Sequence, residues 1–285
     1  MTIVSCFLMG GLGNQLFQIF TTFAYCLRFG KKMILPYSDT LTTGIERNTY
    51  WDSLLSYFKQ FTTFNSKLKN EDLFKFKRYI ETNHEYNKIP QINSDILLYG
   101  YFQSYKYFED KFDEIISLMN LREKKQEVIK EFPIYSSDNY IFITMHFRIG
   151  DYKFKQEYHP IISQEYYYNS LYHIICFLNM KKKINVLYFC EKEDNVVVLS
   201  IIDNLEKSFP FFSFIKVDDN IEDWKQMLIM SNCHHNIIAN STFSWWGAYF
   251  NTNKDKIVCY PSQWFGPVAN KNKDDMFPKE WIKID

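Results

Sequence analysis

The sequence predicts an α/β protein of two domains, and three observations carry that reading. Apolar runs of strand length alternate with stretches of helical period along most of the chain. The 285 residues suffice for two domains of ordinary size. A polar, turn-like stretch at 133–139 interrupts the alternation, which places the domains at 1–135 and 136–285. At 46% hydrophobic and 23% charged residues, the chain has the composition of a globular rather than a disordered protein.

Residues 3–8 read as a short buried strand, and Gly10 to Gly13 as a turn. Leu16, Phe17, Phe20, Phe23, Ala24 and Leu27 then recur at helical spacing, so 14–29 is a helix that Gly30 closes. A second short strand follows at 32–36. Residues 37–95 show no consistent period. Residues 96–102 read as a strand, 105–120 as an amphipathic helix and 121–132 as a charged helix. In the second half, strands are expected at 140–146, 184–190, 212–217, 236–239 and 257–260. Helices are expected at 164–180, 193–209, 222–231 and 245–250, with a long loop at 147–162. Regular alternation of this kind implies parallel sheets covered on both faces.

Bulk properties exclude several classes. Lys+Arg and Asp+Glu both number 33, which removes the general electrostatic case for nucleic acid. The triplet Lys181-Lys182-Lys183 reads as a solvated helix end. Six cysteines form no CxxC pair and lie mostly in apolar runs, which fits a reducing, cytosolic setting. Cys233-His234-His235 has no second ligand pair at matching spacing, so it reads as a helix-to-strand junction, and no metal site is expected. No run of about 18 apolar residues exists, so no transmembrane helix is expected, and contact with a membrane would be peripheral or through a substrate.

Three segments fall at the C-terminal ends of predicted strands, where α/β proteins bind ligands. The first is Gly10-Gly11-Leu12-Gly13-Asn14-Gln15. Read from Gly11 as GxGxxG, its third glycine position is Leu16, so a dinucleotide fingerprint fails. Its glycines still allow close backbone approach, Asn14 and Gln15 supply amides, and the alternative is a tight turn with Asn14 as helix cap. The second is His146-Phe147-Arg148-Ile149-Gly150-Asp151-Tyr152. Arg148 offers a bidentate contact to phosphate; Asp151 is either a general base or the residue that orients Arg148. The third runs from Ile237 through Asn240-Ser241-Thr242-Phe243-Ser244 to Trp245-Trp246. It reads as a strand, a hydroxyl-rich turn and a helix capped by Ser241 or Thr242, whose N-terminal N–H groups and dipole suit an anion. A cleft between two α/β domains, with a nucleotide-sugar on the second, accounts for all three.

Together GGLGNQLFQ, HFRIGDY and IIANSTFSWWGAYF, with DWKQMLIMSNCHH, KIVCYPSQWF and the closing Trp281-Ile282-Lys283-Ile284, resemble the α-1,2-fucosyltransferase family, glycosyltransferase family 11, essentially end to end. The resemblance implies a GT-B-type fold of two Rossmann-like domains, GDP-fucose as donor and a galactose-containing glycan as acceptor. It implies inversion to an α-1,2 linkage with no required metal or other cofactor, the acceptor on the N-terminal side and the donor on the C-terminal side. Carried over by position, Arg148 holds the donor diphosphate with His146 beside it. Asn240, Ser241, Thr242, Phe243 and Ser244 lie along the donor, and Gly11, Gly13, Asn14 and Gln15 face the acceptor side. Arg148 and Asp151 are the expected catalytic pair, with Glu157 and His159 as rival bases. Many relatives carry a second arginine where this chain has Ile149, so either Arg148 carries the phosphate contact with less cationic support or Lys153 or Lys155 compensates.

Overall fold

The computed structural model describes residues 2–82, 85–137, 139–178, 182–269 and 273–285. The chain forms two compact units: Met1–Lys124 with Lys271–Pro278, and Lys125–Asn270 with Lys279–Asp285. The division therefore falls earlier than the break expected after 135, and a C-terminal segment returns to the first unit. Both differences have side-chain causes. The Asp218 N–H donates to Tyr135 Oη, which ties the turn-like stretch to the second unit. Ser104 Oγ donates to the Asp275 carbonyl at 2.5 Å, and Lys106 pairs with the Asp275 carboxylate, which fastens the returning segment to the first.

The first unit opens with β1 (Ile3–Cys6), α1 (Leu12–Phe29) and β2 (Lys32–Met33). The aperiodic region holds β3 (Thr40–Leu41) and β4 (Arg47–Asn48) as an antiparallel pair, a single turn α2 (Asn70–Leu73), and a further strand, β5 (Lys77–Ile80). Next come β6 (Ile96–Tyr99), α3 (Phe112–Leu118) and α4 (Leu121–Glu131), which belongs to the second unit from Lys125 onward. The sheet is parallel in the order β2-β1-β6-β5. Helix α1 starts two residues before the expected position, because the Gly11 carbonyl already accepts from Asn14 and Gln15 N–H. Gly11 is its N-cap, so the expected cap at Asn14 is corrected; Gly30, at φ +59°, closes the helix. Phe17, Phe20 and Phe23 carry α1 onto Phe58, Phe61, Phe108 and Phe112, with the rings of Phe20 and Phe108 5.6 Å apart. The expected helix at 105–120 is shorter, because 3-10 turns occupy its first half.

The second unit contains β7 (Tyr140–His146), α5 (Gln164–Phe177), β8 (Lys183–Phe189), α6 (Asn195–Ser208) and β9 (Phe212–Lys216). It continues with α7 (Asp223–Ser231), β10 (His235–Ile237), α8 (Thr242–Tyr249), β11 (Val258–Pro261) and β12 (Ile282–Ile284). Helix α5 ends at Phe177 with Leu178 extended, short of the expected end at 180, and the remainder of that expected stretch, with Lys181, lies outside the described residues. Strand β12 escaped the sequence pattern at three residues, yet it pairs in parallel with β11. All six strands are parallel, in the order β12-β11-β10-β7-β8-β9. Ile143, Met145, Val186 and Tyr188 of the central strands bury against Leu171 and Ile174 of α5 and Val198, Ile202 and Leu205 of α6. Each fully buried side chain of this size contributes roughly 1.5–3 kcal/mol.

Strand order fixes where ligands can go. From β7 the chain winds to β8 and β9 on one side, then returns to β10, β11 and β12 on the other. The reversal between β7 and β10 opens a crevice at their C-terminal ends. The first sheet has its own reversal between β1 and β6. Cys233-His234-His235 sits at the α7–β10 junction. His234 Nδ1 accepts the Phe142 N–H and His235 Nδ1 accepts the Ile257 N–H, each at 3.0 Å, so both rings complete the sheet's backbone bonding.

Candidate functional site

The C-terminal ends of β7, β8 and β10 bring together most residues of the second and third segments. His146 ends β7 opposite Phe189, the last residue of β8. Its Nδ1 lies 2.9 Å from Ser244 Oγ in α8, and the Phe243 ring stands 5.6 Å away. Burial, then Arg148 and Lys216, lower the His146 pKa from 6.5 to about 3. His146 is therefore a neutral hydrogen-bonding group rather than a cation.

Arg148 follows on the turn after β7. Its guanidinium donates to Glu191, just past β8, and to Asp151, and it lies 5.0 Å over the Tyr152 ring. Tyr152 Oη donates to the Asn240 carbonyl at 3.2 Å and its ring stacks on His159 at 4.7 Å. Of the two roles open to Asp151, the geometry makes the orienting one. Its carboxylate pairs with Arg148, with Lys155 at 3.7 Å, as the orienting role requires. Lys153 pairs at 2.6 Å with Asp194, which is fully buried and also accepts the Gly150 N–H at 2.7 Å. Both lysines expected to compensate for Ile149 thus have carboxylate partners, and Ile149 itself is buried in the unit's core. Sequence reasoning misses Glu191 and Asp194. Their one signal is position, directly after the predicted strand at 184–190.

Helix α8 supplies the remaining face. Ser241 is the cap: its Oγ accepts the Phe243 N–H, while Thr242 starts the helix with its side chain partly exposed. Trp245 and Trp246 are fully buried and brace the helix from behind. Two lysines, Lys125 buried and Lys256 half-buried, close the other ends of the helical pair α7 and α8. Lys125 Nζ donates to the Ser231 and Phe250 carbonyls, and Lys256 Nζ to those of Ala248 and Asn251. Burial lowers each pKa to about 8. Asn240 departs from its expected donor-binding role. Its buried amide donates to the Pro160 and Trp264 carbonyls, so it anchors the flanking loops.

The first segment gathers at the reversal between β1 and β6. Asn14 Oδ1 accepts from Gln103 Nε2 at 2.9 Å and remains partly exposed. Gly11 opens onto space that an added Cβ would not fill, whereas Gly13 is buried in the first turn of α1. Gln15 is fully buried, with its amide donating to the Gly10 and Asn48 carbonyls. It fastens the turn, which corrects its placement among ligand-facing residues. Gln18, one helical turn on, does the same with Met9.

Two α/β units with parallel sheets, one bearing an arginine, a capped helix N-terminus and a histidine at its strand reversal, have the architecture of the GT-B-type glycosyltransferases. The chain matches the model of glycosyl transferase family 11 over residues 5–285, and it belongs to that family. It is 27% identical to the O-antigen biosynthesis glycosyltransferase WbnK of Escherichia coli, over 98% of this chain and 99% of that protein. It is 26% identical to an alpha-1,2-colitosyltransferase of Escherichia coli over the full length of both. Among solved structures, a mutant of Arabidopsis thaliana FUT1 in complex with GDP shares the fold. The TM-score is 0.50 at 12% identity, covering 97% of this chain and 74% of that one. No helix among the described residues is long and apolar enough to cross a membrane.

Proposed function

We propose that this protein transfers L-fucose from GDP-fucose to the 2-hydroxyl of a β-linked galactoside, with inversion and without a metal. The observation that carries the donor half is that Arg148, just past β7, and the Ser241-capped N-terminus of α8, just past β10, follow the C-terminal ends of adjacent parallel strands, with His146 and Ser244 hydrogen-bonded between them. The second unit takes the donor and the first the acceptor. The acceptor hydroxyl oxygen attacks the anomeric carbon as the bond to the β-phosphate breaks; its proton passes to a base on the loop after β7, where Asp151, Glu157 and His159 stand, and GDP leaves with the charge. Arg148 and the free N–H groups of α8 stabilise that charge as it develops. Neutral His146, fixed by Ser244, adds a hydrogen bond without adding charge. Asp151 holds the guanidinium in place.

Membership of family 11 and the GDP in the related plant structure support the nucleotide. A second reading has a specific observation behind it: a relative at 26% identity is named a colitosyltransferase, which favours another activated deoxysugar on the same fold. One experiment separates the two. The purified protein is incubated with GDP-fucose or another GDP-deoxysugar and a panel of galactosides, with and without EDTA, and the products are sequenced. A fucosylated α-1,2 product, formed equally in EDTA, is expected. Transfer from a different deoxysugar alone would replace the fucose assignment, and loss of product in EDTA would overturn metal independence.

A further inference from the structure

The fold makes room for Glu191. It follows β8, and its carboxylate accepts from Arg148 Nη1 while Asp151 accepts from Nη2. Gly150 faces the same carboxylate. A Cβ added there would collide with Glu191 Oε2, and the Gly150 φ of +27° lies where residues with side chains rarely go. Buried Asp194 pins the Gly150 N–H at 2.7 Å, so this backbone is held in place from below. The space left by a missing side chain on one loop is thus filled by a carboxylate from another.

Charge accounting at Arg148 gives this carboxylate a role. Arg148 and Lys155 face Glu191 and Asp151, and Lys153 faces Asp194, so each nearby cation is already balanced. A diphosphate gains full use of the guanidinium only by displacing a carboxylate. Asp151 lies on the same turn as Arg148 and has Lys155 at 3.7 Å as well. Glu191 comes from a separate strand and is 39% exposed at its side chain, and among the described residues its ion pair is with Arg148. We propose that Glu191 is a displaceable counterion: it occupies Arg148 in the empty site, and the donor diphosphate takes its place. This rests on the reading of the site as a diphosphate site. Glu191 is then a specificity-determining residue. A monophosphate that reaches Arg148 alone exchanges one anion for another, whereas a diphosphate that also reaches the α8 N–H groups gains more than it displaces.

Calorimetric titration of GDP and GMP into the wild-type protein and four variants tests this. Glu191→Gln keeps the side-chain shape and removes the charge. It is expected to bind GDP about three- to tenfold more tightly, with a larger gain for GMP, so that the GDP/GMP ratio falls. Gly150→Ala, whose Cβ drives Glu191 off the guanidinium, is expected to move GDP affinity the same way. Arg148→Ala should lose GDP affinity, and Glu191→Gln should add nothing in that background. If Arg148→Ala loses GDP while Glu191→Gln, at unchanged Tm, binds GDP no better than wild type, the counterion role is overturned and the diphosphate site stands. If Arg148→Ala binds GDP as wild type does, or wild type does not bind it, the site reading falls and the counterion with it.

Discussion

Two strand reversals, one in each parallel sheet, have opposite interiors. At the first, between β1 and β6, the glycine turn is filled by its own amides: Gln15 on Gly10 and Asn48, Gln18 on Met9. At the second, between β7 and β10, the groups are an arginine, two acidic residues and a capped helix N-terminus, with polar atoms gathered at the strand ends. Parallel strand order makes a crevice in either unit. The residues just past each strand decide whether it becomes a neutral, self-bonded turn or an anion site. The second arrangement, with an arginine and a helix N-terminus, is the one equipped for an anion.

The largest effect that would separate the two is on turnover. Arg148→Ala should lower kcat by about a thousandfold or more, as removal of a group that stabilises leaving-group charge does, with Tm nearly unchanged. Near-normal turnover would erase the contrast. The next is on acid stability, and it belongs to the second unit. His146 and His235 have pKa values lowered to about 3 and about 4, chiefly by burial. An unfolded chain binds these protons near pH 6.5 and the folded one does not, so acid favours unfolding. As pH falls from 6.5 toward 4 the two histidines together should lower stability by roughly a few kcal/mol, read from urea midpoints. His235→Asn, which keeps an acceptor for the Ile257 N–H, should halve their share.

A smaller effect tests the first reversal. Gln18→Leu leaves the Met9 N–H and carbonyl without their side-chain partner and should cost about 2–3 kcal/mol of stability, with GDP affinity unchanged. Weakened GDP binding would show that this turn is more than scaffold. Smallest of all, Ser244→Ala removes the partner of His146 and should raise the donor KM by about fivefold, roughly 1 kcal/mol, with kcat little changed.

Much of this contrast is legible before folding. The helix at α1 with its Gly30 stop, the central strand β7, and the cap at Ser241 are set by local periodicity and capping chemistry. The segments that follow β7 and β10, with Arg148 and Ser241, are set the same way. Residues 37–95 resist because two-residue strands and 3-10 turns have no period long enough to read. Gln15 reads as a ligand-facing amide because its type and position suit that role. Its partner, the Asn48 carbonyl, lies in the region without periodicity.

By itself the sequence determined the α/β class, the elements that carry the chemistry, and the residue types offered at each strand end, since all of these depend on neighbours within a few positions. Tertiary structure decided which of those residues are free to act. Asp151 became an orienting group, Ile149 a core residue and Asn240 a loop anchor. Glu191 entered the site because β8 lies beside β7. The physical reason is that ion pairing and burial depend on strand order, and parallel strands joined by long crossovers leave no local signature of which neighbour they will take.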